Sequence, residues 1–270
     1  VKEEKIAILE MGISQIVPEI IYDLKKYFNI KDVSYLISLH SHFDHFGGCP
    51  RLKKFFPKAK LVAEKNTLEV FKEENIKIYS KTMEKINENT LFFVLHPNSD
   101  KEVIFEKVNI DIFPYEGFEL ELGKNLSLKF LLTPGHSPCS ISIFEKNSKT
   151  LFISDAAGAL LPSGKIWPTS FQSFSLYKES IKKIMKMAPE IIATGHIGFL
   201  KKPQEYLEKS LKETENFFEY LKELFQKFPE EEEIHKILFK EYQNDLTTYI
   251  QPNIFKYGNR EMLRQIKNLV

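Results

Sequence analysis

The stretch Ser38-Leu39-His40-Ser41-His42-Phe43-Asp44-His45-Phe46-Gly47-Gly48 decides how this chain is read. It ends a short apolar run, Val33 to Leu39, whose β-branched and aromatic content predicts a strand, so the polar cluster falls where a strand gives way to a loop. Three imidazoles and a carboxylate packed between positions 40 and 45 crowd one another, and that crowding disfavours the charged imidazole. A cation turns the same crowding into ligation by neutral nitrogen. His40 and His42, two apart, share a face while strand geometry lasts. Asp44 and His45 follow where the chain turns, so the set points to two adjacent cations. A solvated polar loop or a core-packed imidazole accounts for one such residue, not for four ligand-type side chains in this order.

Outward from the cluster, Ile6 to Leu9 reads as a strand closed by Gly12, and Ile16, Ile20, Ile21, Leu24 and Phe28 recur at helical spacing. Leu52, Phe55 and Phe56 predict a helix after Gly47-Gly48, and Lys60 to Ala63 a strand. Residues 66–96 read as mostly helical, with Phe71, Ile76, Ile78, Met83 and Ile86 as the buried side. Strands are expected at 109–113, 118–121, 126–132, 140–145 and 150–153, between Gly, Pro and Asn punctuation. A loop over 157–170, a helix over 174–187 and a strand at Glu190 to Thr194 follow. Beyond Pro203 the pattern is helical, with Tyr206, Leu207, Leu211, Phe217, Phe218, Leu221 and Phe225 as an apolar stripe that packs on or beside the preceding domain or, alternatively, offers a homodimer interface.

Composition excludes several classes. Among 270 residues, 38 Lys+Arg against 37 Asp+Glu leave a net charge of +1, which supplies no general field for nucleic acid or an anionic membrane. A nucleic-acid partner is therefore not expected. No apolar run reaches the length of a membrane span, so no membrane partner is expected either. Two Cys cannot staple a domain of this size, which makes a reducing cytoplasm the expected compartment. The start, Val1-Lys2-Glu3-Glu4, resembles neither a signal peptide nor an initiator, and a missing N-terminal segment is expected.

The order His-x-His-x-Asp-His followed by Gly-Gly resembles the metallo-β-lactamase superfamily, and four further segments extend the likeness. Ile8-Leu9-Glu10-Met11-Gly12 is similar to the family's strand ending in Asp-Thr-Gly, with Glu10 at the Asp position. Thr133-Pro134-Gly135-His136-Ser137-Pro138 is similar to the segment presenting the next metal-binding His. Leu151-Phe152-Ile153-Ser154-Asp155 and Ile191-Ile192-Ala193-Thr194-Gly195-His196 resemble the strands delivering the bridging carboxylate and the last His. The resemblance implies an α/β chain forming a four-layer α/β/β/α sandwich over residues 1–202, with its first strands missing, and a C-terminal helical extension over 203–270.

Carried over position by position, the resemblance gives His40, His42 and His136 to a first metal, and Asp44, His45 and His196 to a second, with Asp155 between them. Nitrogen-rich sets with carboxylate and no thiolate suit two divalent ions: zinc first, with iron or manganese as alternatives. The implied reaction is metal-dependent hydrolysis by a metal-bound hydroxide of an ester, thioester, lactone or phosphodiester in a small-molecule substrate, with Asp44 orienting the hydroxide. A non-haem iron oxidoreductase acting on oxygen, nitric oxide or a persulfide is the main alternative. His42 stands where diiron flavoproteins of the superfamily carry Glu, which favours hydrolysis. A nuclease of the same superfamily is the third reading, and a metal-dependent binding protein the fourth. Cys49 and Cys139, close in sequence to His45 and His136, are read as small buried hydrophobes. Trp167 is given equally to substrate lining and to local packing, while Tyr177, His96 and His235 carry no functional signal of their own.

Overall fold

The computed structural model describes residues 1–228, 230–246 and 252–267, apart from the side chains of Asp32 and Leu246. Its contacts divide the chain into two units, Val1–Leu131 with Glu145–Asn147, and Leu132–Phe144 with Ser148–Val270. The helices after 203 share one apolar cluster with Leu161, Trp167 and Phe174.

In the first unit, β1 (Ile6–Leu9), β2 (Val33–Ile37) and β3 (Lys60–Val62) form a parallel sheet in the order β1-β2-β3. Parallel pairing requires crossovers, and α1 (Val17–Tyr27) makes the first. Its Val17 and Ile21 are buried in one cluster with Ile6, Leu36, Phe46 and Leu61. The second crossover carries α2 (Phe43–Phe46) and α3 (Cys49–Phe55). Next come a 3-10 turn at Lys65–Phe71, then α4 (Glu73–Ile86) and α5 (Thr90–Leu95). Met83 is fully buried, but Ile78, expected inside, is 57% exposed. The buried phase of α4 runs through Ile76, Tyr79, Met83 and Ile86, and position 78 lies off it.

The strand expected at 109–113 is reduced to a single parallel bridge between Val62 and Ile112. The Asp111 carboxylate accepts from Leu61 N (2.7 Å), so a side chain takes a donor that a continuing ladder would need. Earlier in the chain, the segment just after α5 is tied down by Arg51 of α3, whose buried guanidinium donates to Ser14 O (3.0 Å) and to both oxygens of Asp100 (2.7 and 2.5 Å). The Arg51 hydrogen bond holds the Asp100 carboxyl below its ordinary value. A depressed carboxyl contributes stability that is present above its unfolded pKa of about 4 and is lost as pH falls through the lower folded value. Asp100→Asn is expected to cost about 1 kcal/mol at neutral pH, a figure discounted for the exposure of Asp100. Paired thermal melts should show the gap from the native chain closing in acid. β4 (Glu119–Glu121) and β5 (Ser127–Leu132) then form an antiparallel pair.

In the second unit β6 (Ile141–Glu145) and β7 (Thr150–Ser154) precede a small hairpin, β8 (Ala159–Leu160) and β9 (Ile166–Trp167), within the loop expected over 157–170. After α6 (Phe174–Lys186), β10 (Ile191–Thr194) pairs parallel with β7 and antiparallel with β11 (Gly198–Leu200), giving the order β11-β10-β7-β6. Three helices follow: α7 (Pro203–Lys227), α8 (Glu231–Leu246) and α9 (Pro252–Lys267). The apolar stripe of α7 is used inside the chain. Phe217, Leu221 and Leu224 are buried with Ile234, Leu238, Phe255, Met262 and Leu263. No helix among the described residues is long and apolar enough to cross a membrane.

Candidate metal centre

In the first unit the ligand-type residues stand directly beyond β2. Ser38 Oγ donates to His40 O (2.6 Å), and Phe46 N bonds His42 O (2.8 Å) to start the single turn of α2, so the loop doubles back on itself. That turn is locked to the end of β1 by Met11 N to His45 O (2.8 Å) and Gly48 N to Gly12 O (2.7 Å). Gly48 is required by this close approach, because a Cβ there would lie 2.2 Å from Met11 O. The result clusters three imidazoles: His40 lies 4.7 Å from His42, edge-on, and 4.1 Å from His45, tilted, centroid to centroid.

Glu10 belongs with them. One carboxylate oxygen accepts from Leu39 N (2.8 Å) and the other meets His45 Nδ1, so His45 presents Nε2 outward, 3.5 Å from Asp44 Oδ2. Ligand atoms of Glu10, His40 and His45 lie within 4.8 Å of one another. Glu10 has φ +64°, a left-handed conformation that costs a non-glycine residue about 1–3 kcal/mol and that its two anchoring contacts maintain. Its sequence position resembled the family's Asp, yet nothing local in the sequence announced the contact to His45.

The second unit brings together His136, Asp155 and His196. His136 Nδ1 donates to Thr169 O (2.7 Å), which leaves Nε2 as the lone-pair nitrogen, 3.6 Å from Asp155 Oδ2. His196 Nε2 stands 3.4 Å from the same oxygen, with its side chain 52% exposed. These separations are too long for hydrogen bonds but suit two ligand atoms on one ion: donors ~2.1 Å from a tetrahedral cation sit ~3.4 Å apart. The donor set of each unit therefore fits a metal by chemistry and by spacing.

The loop orienting His136 is itself held from several sides. Tyr177 of α6 donates to Thr169 Oγ1 (3.2 Å), which donates to Asp155 O (2.9 Å). Burial pushes the Tyr177 phenol up, so it stays neutral and acts as a donor. Gln265 of α9 donates to Ser170 O (2.7 Å) and accepts from Phe174 N (2.8 Å). Gln265 could not be found from sequence, since it acts on Ser170 and Phe174 from 95 and 91 residues away, and Tyr177, only eight residues from Thr169, carries no pattern that sets it apart from any other helix residue. Trp167 is buried, donating Nε1 to Asn259 Oδ1 (3.3 Å) and packing on Phe255, so local packing is its role. Cys49 and Cys139 are both buried free thiols, and desolvation pushes the Cys49 thiol up, away from thiolate chemistry.

The sequence profile of the Metallo-beta-lactamase superfamily matches residues 4–196. The chain belongs to the metallo-β-lactamase superfamily and has its fold, followed by the helical region α7–α9. The metallo-β-lactamase fold-containing protein ST1585 of Sulfurisphaera tokodaii is 25% identical over 190 residues, 68% of each chain. The crystal structure of ST1585 aligns with a TM-score of 0.58, covering 78% of this chain and 76% of that one at 24% identity. The uncharacterized protein YobT of Bacillus subtilis is 27% identical, covering 67% of this chain and 74% of its own. The probable metallo-hydrolase MJ0888 of Methanocaldococcus jannaschii is 27% identical, covering 51% and 58% respectively.

Proposed function

We propose that this chain is a metal-dependent hydrolase of a small-molecule ester, thioester, lactone or phosphodiester, holding two divalent ions. His40, His42 and His136 would hold one, Asp44, His45 and His196 the other, and Asp155 both. The observation that carries the reading is the convergence of His136 Nε2 and His196 Nε2 on the single oxygen Asp155 Oδ2, the arrangement of a bridging carboxylate. A bound ion pair supplies a Lewis acid and an attacking water of lowered pKa. The chain's own residues do the rest. Glu10 and the Thr169 carbonyl each fix an imidazole tautomer, and Asp44, a third exposed, orients the attacking water. That one relative bears the name of probable metallo-hydrolase favours the same chemistry.

Metal analysis of protein purified without chelator, followed by assays on a p-nitrophenyl ester, a thioester, a lactone and a bis-phosphodiester, tests the proposal. About two ions per chain with turnover of one substrate class are expected. A stoichiometry near zero that zinc, iron and manganese all fail to restore would overturn it, and oxygen consumption by the iron form without hydrolysis would replace it with an oxidoreductase. Gln265→Ala should weaken metal retention about tenfold in chelator competition, because it frees the loop that orients His136 while touching no ligand.

A further inference from the structure

We infer that Phe171 and Tyr257 form an aromatic wall beside the metal ligand His136, against which the aryl portion of an arylacyl substrate lies. The inference rests on the hydrolase reading and names the substrate class for the same site. The Phe171 ring stands 5.1 Å from His136, 5.7 Å from Trp167 and 6.4 Å from Tyr257, the last edge-on at 76°. The aromatic line thus runs from a buried imidazole through the half-buried Phe171 to Tyr257, which is 57% exposed.

The wall is backed rather than loose. Helix α9 comes so near the loop that a Cβ on Gly258 would lie 2.6 Å from Phe171 Cε1 and 2.8 Å from Trp167 Cη2. Gln265 fastens the same helix to Ser170 and Phe174. One turn before Tyr257, Ile254 is also exposed at 40% and extends the apolar strip along α9. The charges one and two turns on, Glu261 and Arg264, pair with each other at 2.6 Å, which leaves the strip suited to an uncharged ring. An aryl group laid against these rings gains the contact energy of an aromatic pair beyond the area it buries, which an alkyl chain of equal area does not.

Trp167, the only Trp, packs on Phe171 and reports occupancy of the wall by fluorescence. Phenylacetate and acetate are titrated into the metal-loaded and metal-free protein, with metal content measured on the same samples. In the native chain phenylacetate should bind at least about fivefold more tightly than acetate, as one edge-to-face contact predicts. The ratio should fall towards one in Tyr257→Ala and recover in Tyr257→Phe, while thermal melts confirm folding. A native ratio near one, an unchanged ratio in Tyr257→Ala, or no binding of either carboxylate overturns the wall. A metal content near zero counts separately, against the hydrolase reading.

Discussion

Asp155→Ala is expected to leave the chain folded but unable to retain its metals or to hydrolyse substrate, with activity down by about 10³-fold or more. The size of the effect follows from one atom. Asp155 Oδ2 is the point on which His136 Nε2 and His196 Nε2 both close, at 3.6 and 3.4 Å. Its removal takes a ligand from each proposed ion and also the anion that screens two cations from each other. The fold should survive, because the contacts that Thr169 makes on this residue go to its backbone carbonyl, which alanine keeps. Asp155→Asn separates charge from shape: it keeps an oxygen near both imidazoles, so partial metal retention with low turnover is expected. Metal analysis beside circular dichroism reads all three proteins. Two ions per chain and activity within tenfold of native in Asp155→Ala would exclude a bridging role.

What could be read from sequence follows the range over which each signal acts. The strands β1 and β2 and the helix α1 are local patterns of apolar period, and the structure places each of them where the pattern predicts, while the cluster at 40–45 is legible as a pattern of side-chain type. Ile78 failed because a helix of mixed composition admits two phases, and only tertiary packing of Tyr79 and Met83 selects one. Residues 109–113 have strand composition, but Asp111 diverts a backbone donor of β3 to its side chain. The α7 stripe was read correctly as apolar, yet sequence does not say whether such a face meets another molecule or its own α8 and α9. The candidate site divides in the same way. Ligand types announce themselves, whereas the groups that aim them, Glu10 on His45, Thr169 on His136 and Gln265 on the intervening loop, are ordinary residues made relevant only by folding.

Gly135→Ala is expected to destabilise the protein by about 3 kcal/mol or more and to displace His136 at the same time. Two independent costs add at this position. The backbone has φ +126°, which an L side chain rarely adopts, and the new Cβ would lie 2.3 Å from Tyr177 N and 2.4 Å from Tyr177 Cα. Those are backbone atoms in the first turn of α6, so no rotamer change relieves the collision, and Tyr177→Ala in the same chain should not rescue it. Nor can the loop retreat cheaply, because Gly135 O already accepts from Gln172 N (3.0 Å) and Ser173 N (3.1 Å), where α6 begins. Any shift is transmitted to the next residue, His136, whose ring must stay on Thr169 O to aim Nε2 at the proposed metal. Gly164→Ala is the control for strain alone: its φ is +85°, but its Cβ would meet nothing within 4 Å, so a loss of about 1 kcal/mol without loss of metal is expected. Urea melts and metal analysis of the two variants side by side separate the terms. If Gly135→Ala lost no more stability than Gly164→Ala and kept its metals, the close packing of α6 on the His136 segment would not be what holds that ligand in place.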